Sequence, residues 1–367
     1  MSQYILILIW LAVVFFLSRT LHVQRNEYVL GEQVTRVSVG FAIFAMIPLI
    51  YWTITRPLSF GDSDAYVRMF AALPNTLSEL PSYIAGVNKD KGFSVLSILI
   101  KCVVGERYEL FFAVIALIQG LSVALVFRKY SSNFVLALFL FVTTTDYLSW
   151  MHNGVRQFTA VALIFAATEL MLNKKYVSLI AVILLASTIH GSALLMIPIV
   201  FIVQGRAWNR KTFLAIIAFA VAIMFVDQFT DLLDTLLTDT QYANVVSDWQ
   251  AGNDDGTNPL RVLVYSIPTI LSIIGIKFIK HEKDPVIDLA CNMGVLATLF
   301  YCLSAVTSGI FIGRLPIFCS MYATGILLPW ELDNIFTEQS SRLLKLGMIV
   351  CFLAFYYYQV HLAWGLI

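Results

Sequence analysis

The sequence predicts an all-α polytopic membrane protein, and three observations carry that expectation. Of its 367 residues, 59% are hydrophobic and 13% charged, whereas soluble domains are roughly half apolar and a quarter charged. Apolar segments of spanning length recur from one end of the chain to the other. Basic residues fall unevenly between the connections, as membrane insertion requires.

Apolar runs at 3–17, 37–54, 109–127, 133–150, 154–172, 212–227, 261–279, 286–306, 314–331 and 346–366 read as spans, each bounded by polar or charged residues. None is a short apolar core followed by a small-residue cleavage site, so the first helix is expected to stay. Two further segments do not fit a single crossing. Residues 92–105, GFSVLSILIKCVVG, are too short to cross at about 1.5 Å per residue and suit a re-entrant or interfacial helix. Residues 175–206 are too long for one span and carry His190, Gly191 and Ser192 at their middle, which suits two short helices meeting at a break. The expectation is about 10–14 transmembrane or re-entrant helices in one domain, 1–367. A first external loop, 55–108, holds interfacial or re-entrant helices, and a second covers 228–260.

With the amino terminus outside, the inner connections collect Arg19, Arg25, Arg36, Arg128, Lys129, Lys174, Lys175, Arg206, Arg210, Lys211, Lys277, Lys280, Lys283, Arg342 and Lys345, 15 of the 24 basic residues. If 92–105 crossed fully and 175–206 crossed once, the pairs Arg128–Lys129 and Lys174–Lys175 would move outside and weaken this pattern. The first topology is therefore preferred. It leaves Arg56, Arg68, Lys89, Lys91, Lys101, Arg107, Arg156, Arg261 and Arg314 on the outer side, where each needs a reason. An arginine in hydrocarbon costs roughly 2.5–3.5 kcal/mol on insertion scales, so it pairs with an acid, caps carbonyls or meets an anionic ligand. A structural pair is as good a reading as a ligand for any one of them. Arg156 and Arg314 stand out together. Each starts an apolar helix after a small polar loop, in HNGVRQF and SGIFIGRLP. With Arg56 they form a candidate cationic site for phosphate or diphosphate.

The first external loop contains FGDSDAY, with Asp62 and Asp64 beside Gly61 and then Tyr66 and Phe70 at helical spacing. The bland reading of either aspartate is a helix cap; two of them just after an arginine make a chemical role as good a reading. His190, at the break, is a candidate base, proton shuttle or hydrogen-bond donor, against the commoner structural role of a lone membrane histidine. The second external loop is rich in Asp, Asn, Gln, Trp and Tyr, which suit carbohydrate and equally suit an ordinary solvated loop. The five cysteines lie singly in apolar runs, without metal or disulfide spacing. The formal net charge of +1 points to no nucleic acid. Walker, GxSxG and HExxH patterns are absent from the sequence.

The segments GDSDAYVRMF, KGFSVL, HNGVRQFTAVALIFAATELMLNKKY, LLASTIHGSALLMIP and GRLPIFCSMYATGILLP occur in the order seen in the EpsG family of bacterial exopolysaccharide, capsule and O-antigen polymerases, a Wzy-like group. The resemblance covers most of residues 50–330, with the NGxRQ and IHxSAL elements its most specific parts. It departs from the family at Lys91, where an acidic residue normally precedes Gly-Phe; Asp90 stands one step earlier.

The resemblance implies a multi-pass enzyme of the bacterial inner membrane that joins oligosaccharide repeat units carried on undecaprenyl diphosphate at the periplasmic face. The external Asp followed by Tyr also resembles the first loop of GT-C glycosyltransferases, so a GT-C-like helical architecture is expected. Matched residue by residue, Asp62 is the first candidate base and Asp64 the second, with His190 a further catalytic candidate. Arg156 and Arg314, then Arg56, are expected at the diphosphate, while Tyr66, His152, Asn153 and Gln157 orient substrate or arginine. No cofactor or metal is expected. Expected partners are the lipid-linked oligosaccharide, membrane lipid and a chain-length regulator. The alternatives are an O-antigen ligase and a lipid-linked oligosaccharide flippase or transporter.

Overall fold

Helix starts follow local chemistry. Ser2, Ser38, Asn133, Asn209, Asn258 and Asp284 each accept a backbone N–H of the helix that follows them, satisfying donors that the first turn leaves open. The computed structural model describes residues 2–237 and 255–366, and residues 238–254, within the expected second external loop, lie outside the described residues. The described chain forms two compact units, one containing residues up to Ile197 and those from Leu346 onward, the other Pro198–Lys345.

The first unit begins with α1 (Gln3–Thr20), followed by α2 (Val39–Ile54), α3 (Ser63–Ala71), α4 (Leu80–Ala85), α5 (Lys91–Val104) and α6 (Tyr108–Tyr130). It continues with α7 (Phe134–Thr143), a wide π-helical turn over Tyr147–Asn153, α8 (Val155–Ala166), α9 (Thr168–Leu172) and α10 (Tyr176–Ile189). The second unit holds most of α11 (Met196–Val203), then α12 (Arg210–Met224), α13 (Val226–Leu237), α14 (Pro259–Ile274), α15 (Ile276–Glu282) and α16 (Pro285–Ala305). A continuous helical stretch, Ile312–Asn334, follows.

The all-α, multi-pass expectation holds at a coarser level than its count of transmembrane or re-entrant helices. Among the described residues, five helices are long and apolar enough to cross a membrane, or up to seven if each of two bent pairs counts as one span. Several expected spans are interrupted by polar or glycine positions that an apolar average hides. The run 133–150 is two pieces bent by 70°. At the bend Thr145 has φ 69°, and the buried Asp146 carboxylate accepts the Thr144 hydroxyl at 3.3 Å and the Trp150 indole N–H at 3.2 Å. The run 261–279 bends by 72° between α14 and α15 at Gly275, where a Cβ would lie 2.5 Å from Ile335 Cγ1. Val39–Ile54, Val155–Ala166 and Tyr176–Ile189 are apolar but only 10–17 residues long, short of the roughly 20 that a hydrocarbon core about 30 Å thick asks for.

One element departs from an all-α chain. Residues 24–37, read from sequence as a charged inner loop, form an antiparallel hairpin, β1 (Gln24–Val29) with β2 (Glu32–Val37), in the register Val29↔Glu32 through Gln24↔Val37. Its two-residue turn has Leu30 and Gly31 both at positive φ, 51° and 90°, the geometry that matches strand twist. An isolated hairpin is marginally stable; here α6 holds it. Arg128 donates Nε–H to the Val37 carbonyl at 2.7 Å and pairs with Glu27, while Arg36 Nε–H reaches the Lys129 carbonyl at 3.1 Å.

The break in 175–206 falls where the sequence places it. α10 ends at His190, which is extended (φ −153°, ψ 120°), and a tight turn over Gly191–Leu195 leads into α11. The start of α5 lies against the end of α10: a Cβ on Gly92 would overlap the Thr188 side chain and stand 2.8 Å from its carbonyl carbon. Gly92→Ala is therefore expected to cost about 1–3 kcal/mol, as overpacking does, and to lower the thermal midpoint in detergent. Gly347→Ala, where nothing lies within 4 Å, is the control and should leave the midpoint unchanged or slightly raised.

Candidate functional site

Arg156 sits in the first turn of α8, and its place is set from below by α6. The buried Gln119 carboxamide donates to the Val155 carbonyl and to Thr159 Oγ1, both at 3.0 Å. The chain enters α8 through Gly154, where a Cβ would lie 2.6 Å from the Trp150 ring, so the turn needs a residue without a side chain. The Arg156 guanidinium then meets Asp90, with Nη1 donating to Oδ2 at 3.0 Å. Asp90 occupies the N-cap position of α5 in the left-handed region, φ 52°, without a side-chain cap bond. Its side chain is 5% exposed, whereas that of Arg156 is 36% exposed. The Gly191 backbone N–H, in the break after α10, is among the groups that favour the charged form of this carboxylate. Burial pushes the Asp90 carboxyl up from the ordinary aspartate value, with Arg156, the Gly191 N–H and Lys89 pulling the other way.

Tyr66 of α3 is the second contact of Arg156. The Arg156 backbone N–H donates to Tyr66 Oη at 3.4 Å, and the guanidinium lies 6.0 Å from the ring centroid. Two positions before the start of α3, Gly61 has φ 52°, and a Cβ there would stand 2.5 Å from the Asn153 carboxamide carbon. That closeness lets Asn153 Oδ1 accept the Asp62 backbone N–H at 2.9 Å. The FGD, KGF, HNGVRQ and IHGS segments, far apart in sequence, thus meet at one end of the first unit.

Asp62 occupies the N-cap position of α3 yet makes no side-chain cap bond, and it is exposed. The cap role that sequence reasoning held against it is not the one it plays. Asp64 pairs with Arg68 one helical turn on, at the surface. His190 is half-buried, its Nδ1 2.7 Å from Ser192 Oγ. Gln157 is buried.

Arg56 is 4% exposed and donates Nε–H to Ser63 Oγ at 2.8 Å and Nη1–H to the Thr53 carbonyl at 2.7 Å. Its guanidinium lies 3.8 Å over the Phe112 ring, and Nη2 has no hydrogen-bond partner among the described residues. His152 is fully buried between Tyr147 and Phe60, at ring distances of 4.8 and 5.5 Å, and neither ring nitrogen has a partner among the described residues. Arg314 belongs to the second unit. It is exposed on the turn Ile312–Arg314, which Gly309 and Gly313 let approach Gly256 and Thr257 closely.

Two groups that bind the segments of this site escape the sequence reading. Asp90 was noted only as standing one step from a family position. Lys101 was one of the unexplained outer cations: its side chain is 1% exposed, and Nζ donates to the carbonyls of Phe70, Ala71 and Leu73 at 3.0, 2.8 and 2.8 Å, with Glu106 at 3.3 Å. It caps the end of α3 from α5. The available signal was spacing, since Phe93, Ser97 and Lys101 recur every four residues on the buried face of α5.

A family model described as the EpsG family matches residues 39–364 of the chain. No curated protein and no solved structure matches it.

Lys101→Met keeps the apolar stem but leaves three carbonyls without their charged donor. It is expected to destabilise the protein by about 1–3 kcal/mol and to speed proteolysis between Phe70 and Leu77, which limited digestion followed by mass spectrometry measures.

Proposed function

The chain belongs to the EpsG family, a Wzy-like group of polysaccharide polymerases, and from that membership we propose that it joins undecaprenyl-diphosphate-linked oligosaccharide repeat units. In this reading it works at the periplasmic face of the bacterial inner membrane, with a GT-C-like architecture, in exopolysaccharide, capsule or O-antigen synthesis. A chain-length regulator is its proposed partner. The observation that carries the reading is the meeting of Arg156, Tyr66, Asn153 and Asp62 at one end of a helical membrane unit. It sets a half-exposed guanidinium, an exposed carboxylate and a phenol within one small region.

The reaction makes two demands. A hydroxyl oxygen of one glycan attacks the anomeric carbon of another, the bond from that carbon to the diphosphate oxygen breaks, and the lipid diphosphate leaves with an added negative charge. Arg156 is assigned to that charge, because a preorganised guanidinium in a partly dehydrated site stabilises it without reorganising. Arg56 and Arg314 are further candidates for diphosphate oxygens on the sequence argument. Arg56 is buried, and its Nη2 has no hydrogen-bond partner among the described residues. The proton of the attacking hydroxyl passes to Asp62, the exposed carboxylate, with Asp64 and His190 the other candidate bases. Tyr66 and Asn153 hold the arginine and the aspartate segments together, and His152 and Gln157 line the same stretch of chain.

Purified protein given its lipid-diphosphate repeat unit is expected to produce a ladder of glycans. Arg156→Ala and Arg314→Ala should lose it by about 100-fold or more, the scale set by removing one charge-stabilising donor, and Asp62→Ala should reduce it by about 100- to 10,000-fold. A product formed only on lipid A core would indicate a ligase, and movement of the lipid across vesicles without bond formation would indicate a carrier. A ladder unaffected by all three changes would return these residues to structural roles.

A further inference from the structure

Asp90 has no assigned part in the chemistry, yet a group from a distant segment, Arg156 of α8, is bound to its carboxylate. It sits in a left-handed conformation that non-glycine residues rarely adopt, φ 52°, directly before α5. That conformation turns a 5% exposed carboxylate toward the first turn of α8, where it takes Arg156 Nη1–H at 3.0 Å. The Gly191 N–H, in the break after α10, favours the charged form of the same carboxylate. Burying an aspartate is costly unless it is paired and hydrogen-bonded, and both conditions are met by groups from other elements. The pair is asymmetric: the acid is buried and the arginine is 36% exposed. The carboxylate therefore lies on the protein side of the guanidinium, whose exposed part faces outward. Lys91 occupies the next position and is itself exposed.

We propose that Asp90 is the positioning residue of Arg156, holding one edge of the guanidinium from the protein side so that its exposed part meets the diphosphate of the donor. The inference rests on the functional reading above. A guanidinium tied at one edge keeps its direction when substrate arrives, whereas an untied one has to be ordered by the substrate itself.

The test is steady-state kinetics with the lipid-diphosphate repeat unit on full-length wild type, Asp90→Ala, Asp90→Asn, Arg156→Ala and the exchange variant Asp90→Arg/Arg156→Asp, each with its thermal midpoint. Asp90→Ala is expected to lower kcat/KM by roughly 10- to 100-fold, and Asp90→Asn, which keeps an acceptor for Nη1–H, by less. The exchange variant restores the pair and the midpoint but not turnover, an outcome a purely structural ion pair would not give. The pH profile adds an independent readout. The groups acting on Asp90 are Arg156 from α8, the Gly191 N–H beside His190 from the break, and Lys89 from its own segment. Wild type should lose activity on the acid side at a pH above the ordinary aspartate range, as Asp90 takes up a proton and releases Arg156. Asp90→Asn should lack that limb, while a limb belonging to His190 would persist in it. If Asp90→Ala does not fold, the Asp90→Asn profile decides alone. An inactive Arg156→Ala beside an Asp90→Ala within twofold of wild type, or an Asp90→Asn with an unchanged acid limb, overturns this inference and leaves the functional reading standing. A fully active Arg156→Ala overturns the functional reading itself.

Discussion

Hydrocarbon supplies no hydrogen bonds, and the arrangement of polar groups in this protein follows from that. A charge at the membrane edge is retained only where the fold provides its partner. Lys101 is enclosed by three carbonyls at the end of α3, and Gln119, within the apolar α6, holds the start of α8 by two bonds. Both act on the same two elements that carry Tyr66 and Arg156. The polar groups buried in the first unit thus order the segments on which the candidate site is built.

Several irregularities serve the same end. Gly61, Gly92 and Gly154 each stand where a Cβ would collide with Asn153, Thr188 or Trp150. These close approaches bring the loop before α3 to the start of α8 and the start of α5 to the end of α10. The broken helices at Thr144–Asp146 and His190 leave backbone groups that an unbroken helix would consume. Breaks of this kind are tolerated at membrane depth where protein surrounds them.

The exceptions to the expected charge distribution resolve in different ways. Lys101 caps carbonyls, Arg68 pairs with Asp64, Arg156 pairs with Asp90, and Arg261 lies over the Tyr265 ring at 5.6 Å. Arg56 is enclosed by Phe112, Ser63 and Thr53 without a carboxylate. One rule of cost therefore yields a capping cation, surface and buried ion pairs and an aromatic contact, according to what each position has within reach.

Composition and apolar periodicity alone determined that the chain is a helical, multi-pass membrane protein, because burying surface in lipid needs long apolar runs that any reading of the sequence detects. The break at His190 was legible for the same reason, as a polar interruption in an overlong run. Motif order was enough to reveal the family. The hairpin at 24–37 was not legible, since its strands are short and largely polar and depend on Arg128 and Arg36 for support. Nor was the bend within 133–150, where three threonines and an aspartate were averaged into an apolar window. Only the tertiary structure decided that Asp90 rather than Lys91 faces Arg156, that Lys101 is buried, and that Asp62 leaves its cap bond unmade. These outcomes depend on a backbone angle of 52°, on which face of α5 meets α3, and on the approach of Asn153 to Gly61. Each is a contact between segments distant in sequence, for which local pattern carries no signal.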